Sequence, residues 1–428
     1  MKGGRTVEQH STAAASRSPL VPIPRNGLRG SSGILLFLAW ALSLFTVGIG
    51  LSGGLLTAQS ANMIAEVISA ASLVLLFLYT WKIAGRAKGM LILLLLPTLL
   101  LAYVTDSFMP AATLLALVCA VTLGSLTLSI ISKKQAVWVP IAPILAYVAT
   151  LLLCRDAVMA AAALIPVPAA WALSVGTRRS AEQENGPTRV GVICLASFAT
   201  VASVAAFVAL VLYRTLGSLE PDTLASALDT VRESIIVWIT SLESELPPEA
   251  TDEMRAMFSR ESAEYMVNGT INLLLGYVVA VANLLVAVSQ LLLHAALVSF
   301  GCGESLSDRV RVFRMSAISC WIFPVAYLLA LVGNGETSTL WGVVAHNLYI
   351  ILSPGLAFAG MLRLIAGITS RRPGCFSTLA LFLAPLLFII AQPVLAAVEI
   401  FGRAGAFIAS KTRPPEDGSP MDTPPDQF

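Results

Sequence analysis

Charge is what this sequence has least of. Asp, Glu, Lys and Arg make up 12% of its 428 residues, about half the share with which a soluble chain covers its surface. Apolar residues reach 57%, so a water-soluble globule of this size would have too little polar surface to close over its core. Patterns that carry chemistry are scarce as well. The six cysteines (Cys119, Cys154, Cys194, Cys302, Cys320 and Cys375) are scattered without a CxxC step, which argues against a zinc site or a disulfide framework and leaves them as small apolar packers. No GxxxxGK[ST], HExxH, GxSxG or strand-borne GxGxxG occurs, and the nearest fragment, Gly301-Cys302-Gly303, lacks the third glycine. The Asn268-Gly269-Thr270 acceptor pattern is too short to carry weight at a membrane boundary. These absences predict no cofactor, no metal, no nucleic-acid partner and no enzymatic activity. Alternation of apolar and polar residues over about ten positions is missing too, which excludes a membrane barrel.

What the chain has in abundance is apolar length. A helix rising about 1.5 Å per residue needs about 20 apolar residues to cross a hydrocarbon layer of about 30 Å, and only a helix satisfies its own backbone there. By that ruler eleven blocks are candidates: residues 33–56, 62–81, 89–103, 111–131, 136–154, 157–175, 190–213, 267–300, 315–332, 340–366 and 376–400. The third is short and the sixth is rich in Ala and Pro. The expected fold class is all-α: a polytopic transmembrane helix bundle of about ten to eleven spans with one amphipathic extracytoplasmic loop. Nineteen of the 27 Lys and Arg residues fall on the side of the N-terminus, which implies that this side is cytoplasmic. Five arginines (Arg155, Arg214, Arg232, Arg255 and Arg260) fall on the other side. A conflict remains at the end of the chain, because eleven spans would place the basic tail with Arg403, Lys411 and Arg413 outside.

Composition divides the chain into a disordered cytoplasmic leader (1–32), an N-terminal seven-span membrane domain (33–213), an acidic extracytoplasmic helical loop (214–266), a C-terminal membrane domain (267–402) and a disordered, Pro-rich tail (403–428). The loop holds eleven acidic residues against four arginines. Within it Leu224, Leu228, Val231, Ile235, Trp238 and Leu242 recur at helical spacing and predict an amphipathic helix, broken before a second short helix by Pro247 and Pro248. That helix is either a lid or docking element, or a connector whose apolar face rests on neighbouring spans.

Polar side chains inside the blocks mark candidate sites. In the eighth block Asn272, Gly276, Asn283, Ala287, Gln290 and His294 fall within about 60° on a helical wheel. An amide or imidazole facing lipid without a partner would cost several kcal/mol, so this face looks into the bundle or a wet cavity. It serves either helix packing through interhelical hydrogen bonds, or a solute-binding or proton-relay surface with His294 as its titratable member. In the tenth block His346 and Asn347 precede Pro354 and Gly355, which are expected to interrupt the helix in the manner of transporter substrate sites. Glu66 and Asp106 fall near span ends, where interfacial solvation explains them, and Glu399 precedes Arg403 by one helical turn, a pairing distance.

From the acidic loop onward the order of features resembles the YybS-like family of uncharacterised bacterial membrane proteins. The residues that carry the likeness are the long block 267–300, the basic loop ending Val312-Phe313-Arg314, the block 315–332, and His346-Asn347-Leu348-Tyr349 followed by Gly355-Leu356-Ala357-Phe358. The resemblance covers roughly the C-terminal 40% of the chain; Ser316 and Pro354 depart from it, where Pro and Gln would be expected. It implies a bacterial inner or plasma membrane and transfers no catalytic residue. The N-terminal spans look loosely like substrate-binding subunits of energy-coupling-factor transporters, although Ala39 and Ser43 stand where a pair of docking alanines would be expected. The functional expectation is a protein that binds or transports a small solute without enzymatic chemistry, through the eighth and tenth spans. The alternative is a scaffold or assembly factor of the bacterial cell envelope that docks partners through the acidic loop. Expected partners are the lipid bilayer, a small solute, and other membrane or envelope proteins.

Overall fold

The computed structural model describes residues 30–52, 59–85, 88–131, 139–182, 189–247, 251–300, 317–332, 339–371, 388 and 391–412. Most of the expected leader, the basic loop 309–314 and most of the block 376–400 lie outside them. Among the described residues all regular structure is helical. In chain order the helices are α1 (Gly30–Ser52), α2 (Gln59–Ile83), α3 (Lys88–Thr105), α4 (Phe108–Ile130), α5 (Ile141–Cys154), α6 (Ala157–Ala160), α7 (Pro166–Glu182) and α8 (Arg189–Leu216). The rest are α9 (Pro221–Ser241), α10 (Asp252–Met257), α11 (Arg260–Ser299), α12 (Ala317–Val332), α13 (Leu340–Arg371) and α14 (Gln392–Thr412).

Among the described residues seven stretches are long and apolar enough to cross a bilayer: Gly33–Ser52, Asn62–Ile83, Phe108–Ile130, Ala157–Arg179, Gly191–Leu216, Arg260–Ser299 and Leu340–Leu364. Leu94–Thr105, Ile141–Cys154 and Ile318–Val332 are apolar but shorter. Seven helices of spanning length are compatible with a multi-pass membrane protein. The weak sixth block is a composite, in which α6 and α7 are joined through a 3-10 turn at Ala161–Leu164. Outward faces agree with a lipid solvent. Val67, Val74, Leu75 and Leu78 on α2 and Phe198 on α8 are exposed, a cost in water that hydrocarbon removes.

The bundle is organised around α4, 83% of whose spanning window is buried. It packs against α1, α2, α3, α7 and α11. Ala111, Ala112, Ala116, Ala120 and Gly124 keep its surface thin and let neighbours approach closely. Its hydroxyls are satisfied without breaking that surface, since Thr113, Ser125 and Thr127 each donate to the carbonyl one turn back.

Contacts at the helix ends define two rims. At the first, the Ser52 hydroxyl donates to Met159 O, Arg214 pairs with Asp156 at 2.7 Å, and the Glu66 carboxylate accepts from the Ser107 hydroxyl and from Phe108 N–H. Glu66 therefore caps the N-terminus of α4, where the helix dipole favours an anion, rather than only standing in interfacial water. Asp106 is exposed there in a left-handed turn with φ 49°. At the second rim Gly85 meets Ser299, and Arg178 donates to Ser129 O. Between the rims α4 and α11 run in the same direction: Thr122 donates to Ser289 O, and Ser289 donates to Val118 O.

α13 shares that direction. Asn347 meets Gly276, and farther along Ala357, Phe358 and Met361 join the core that Val286–Leu297 help to form. α14 also descends beside α13, because Ser353 meets Gln392, Gly360 lies on Leu395 and Arg363 meets Glu399. The block 376–400 is therefore not one helix through Ile400. Its last residues belong to α14, and the C-terminal end of α14 lies at the same rim as that of α13. Helix continues through Thr412, so it reaches past residue 403, where the sequence suggested that an unstructured tail begins.

Candidate functional site

The six candidate side chains do not form one site. Gly276 and Gln290 are 14 residues apart on one continuous helix, about 21 Å at 1.5 Å per residue, and the tenth-span candidates stand only at the Gly276 end. There, the carboxamide of Asn347 is inserted into a turn of α11. Its Oδ1 accepts from Gly276 N–H at 2.8 Å, and its Nδ2 donates to Asn272 O at 3.0 Å and to Val343 O on its own helix at 2.9 Å. The amide thus takes the place of one backbone turn, a use that leaves it little capacity for a solute. Gly276 is required for this approach, since a Cβ there would lie 2.5 Å from Asn347 Oδ1.

The remaining candidates divide by environment. Gln290 is buried, beside the Ser289 bridge to α4. Asn283 and His294 are half-buried, and the side chain of Asn272 is exposed although its carbonyl receives Asn347. His346 is half-buried, with Nδ1 at 2.8 Å from Gly342 O one turn back. The expected interruption at Pro354 and Gly355 is absent: α13 is continuous from Leu340 to Arg371 with Pro354 inside it. A proline removes one backbone donor, but packing on α11, α12 and α14 holds the helix together on both sides of it. Of the two proposed docking positions in the first span, Ser43 is fully buried and donates to Trp40 O, so it faces the bundle.

The densest chemistry lies instead between α13 and α14. Glu399 is 1% exposed, with Arg363 Nε at 2.9 Å from Oε2 and Arg403 Nε at 3.3 Å from Oε1. The Glu399–Arg403 pair is the one the sequence spacing suggested; Arg363 comes from a different helix and gave no local signal. Gly360 lets the two backbones come together, because a Cβ at this position would overlap the carbonyl oxygen of Leu395. One or two turns away, the Ser353 hydroxyl donates to Gln392 Oε1 at 3.0 Å. Phe323, Tyr327 and Tyr349 form an aromatic cluster across α12 and α13 with ring centroids 5.5–6.1 Å apart.

No family model, curated protein or solved structure matches this chain. Geometry alone therefore carries the functional argument. Among the described residues no group of three or more His, Cys, Asp or Glu side chains is placed to hold a metal ion.

Outside the bundle, α9 confirms the amphipathic helix but not its packing. It rests on α11 through Ile236 and Ile239 against Ala263, Val267 and Ile271, pinned by Arg260 between Glu233 and Glu264. The predicted apolar stripe is not what it buries. Leu228, Val231, Ile235 and Trp238 are 50%, 54%, 39% and 62% exposed. Its opposite face carries Asp222, Asp229 and Glu233, all exposed.

Proposed function

We propose that this chain is a multi-pass protein of a bacterial cytoplasmic membrane that binds or moves a small solute without enzymatic chemistry, and that the solute is an anion held at the α13–α14 seam. The observation that supports this is the cluster Arg363–Glu399–Arg403. Two guanidinium groups on one buried carboxylate leave one positive charge in excess among apolar helices. A charge in such surroundings is costly unless a counter-charge joins it, and intramembrane ionisable groups mark solute paths more often than surface ones do. The planar fork of a guanidinium matches carboxylate or phosphate oxygens. Arg363 and Arg403 keep 36% and 26% of their side-chain surface exposed, so an anion reaches them without dismantling the pair. The rim that carries the C-terminal ends of α7, α13 and α14 is the cytoplasmic one in this proposal, because Arg178, Arg179, Arg363, Arg403 and Lys411 belong to those ends.

The test is a thermal-shift series in neutral-lipid nanodiscs with inorganic phosphate and small carboxylates, repeated in discs containing an anionic lipid. Stabilisation of the wild type but not of Arg403→Gln by a soluble anion is the expected result. Stabilisation by the lipid alone would reassign the seam to a headgroup, and an equal response of both proteins would remove it as a site. The scaffold alternative retains one observation in its favour, the exposed apolar stripe of α9.

A further inference from the structure

The seam on α9 is more specific than a merely apolar face. Leu224, Leu228, Val231, Ile235, Trp238 and Leu242 follow one another at steps of four, three, four, three and four. That is the strict a/d repeat of a helix pairing with another helix. It runs about 27 Å at 1.5 Å per residue. The face α9 uses on its own chain is a neighbouring one, Ile236 and Ile239, so the middle of the repeat from Leu228 to Trp238 stays exposed in one copy while its end positions Leu224 and Leu242 are half-buried.

We infer that the seam is filled by α9 of a second copy of this chain, giving a two-fold pair whose axis runs along the membrane normal. The inference rests on the outer-helix reading, not on the anion site. Charge placement is what favours a second copy. The positions flanking the seam are Ala225, Ala227, Arg232, Ser234, Ile239 and Ser241, so apart from Arg232 none would set like charges against each other. The acids Asp222, Asp229 and Glu233 stand on the far side of the helix. Lipid is a poor occupant for the same reason, because a helix lying on an anionic leaflet carries basic residues on its polar face, and this one is acidic. Among the described residues none covers Leu228, Val231, Ile235 or Trp238. Two copies in one membrane present α9 at the same height, so a self-complementary seam closes as a symmetric dimer.

The experiment uses full-length protein in neutral-lipid nanodiscs, with chains counted by single-molecule photobleaching at matched density. Wild type is expected as two chains per particle, Ile235→Glu and Trp238→Glu as one, and Ser226→Glu on the opposite face as two. Both seam positions are exposed in a single copy, so these variants should keep the wild-type melting temperature; if a Glu variant does not, Leu228→Ser replaces it. Wild type counted as one chain, or an Ile235→Glu protein that stays paired, overturns the inference. Capture of a different envelope protein by a wild type that counts as one chain would also overturn it while leaving outer docking intact.

Discussion

On α4 Thr113, Ser125 and Thr127 find a partner one turn back on their own helix, even though Thr122 and Ser125 also reach a neighbour's carbonyl, whereas Asn347 and Arg363 on α13 find theirs on another helix. Thr113 and Thr127 each donate to the carbonyl four residues earlier. Asn347 bonds to the backbone of α11, and Arg363 reaches Glu399 on α14. The first arrangement makes a polar residue cost little in lipid and leaves the helix free to pack as if it were apolar. The second ties the position of one helix to a single group on its neighbour, and with Arg363 and Arg403 it leaves a charge in excess. Polar residues in membrane helices thus differ less by type than by where their partner lies.

The contrast predicts a gradient of effects. The largest belongs to Glu399→Ala, which strands two guanidinium groups. A loss of about 3 kcal/mol is expected, at the low end for breaking a buried pair because both arginines keep some exposure; a melting temperature within a degree of wild type would show that the cluster does not hold α13 to α14. Gly276→Val comes next, at about 2 kcal/mol, because its Cβ falls on the Asn347 amide and pushes α11 and α13 apart. Here Gly276→Ala should lower the melting temperature less than Gly276→Val does, because the smaller side chain pushes less on Asn347. The smallest effect is expected for Thr127→Val on α4, within about 0.5 kcal/mol, since the hydroxyl is satisfied locally and the shape is kept. A loss comparable to that at Gly276 would erase the distinction between the two regions.

Some of the site was legible and some was not, for reasons of spacing. Glu399 and Arg403 are one turn apart, so their pairing follows from the helix itself. Arg363 stands 36 residues from Glu399 and meets it only because α14 runs alongside α13 in the same direction, which no local pattern announces. The eighth-span stripe was visible as a face, and Gly276 on it does meet another helix. Its use as a backbone graft for Asn347, with Gln290 a further 21 Å or so along the helix, depended on which helix packed there. The expected break at Pro354 failed because a proline weakens one hydrogen bond and neighbours on both sides outweigh it.

Sequence alone determined that this is a helical chain of apolar blocks, where the amphipathic outer helix lies, and which side chains are too polar to face lipid. Those follow from transfer energies and the pitch of the helix, which act over one or two turns. Tertiary structure decided which helix each polar group meets, that α14 runs beside α13 so that their C-terminal ends share a rim, and that the middle of the α9 stripe is left open. Such outcomes depend on the packing of helices far apart in the chain, and a single sequence does not record which apolar faces choose one another.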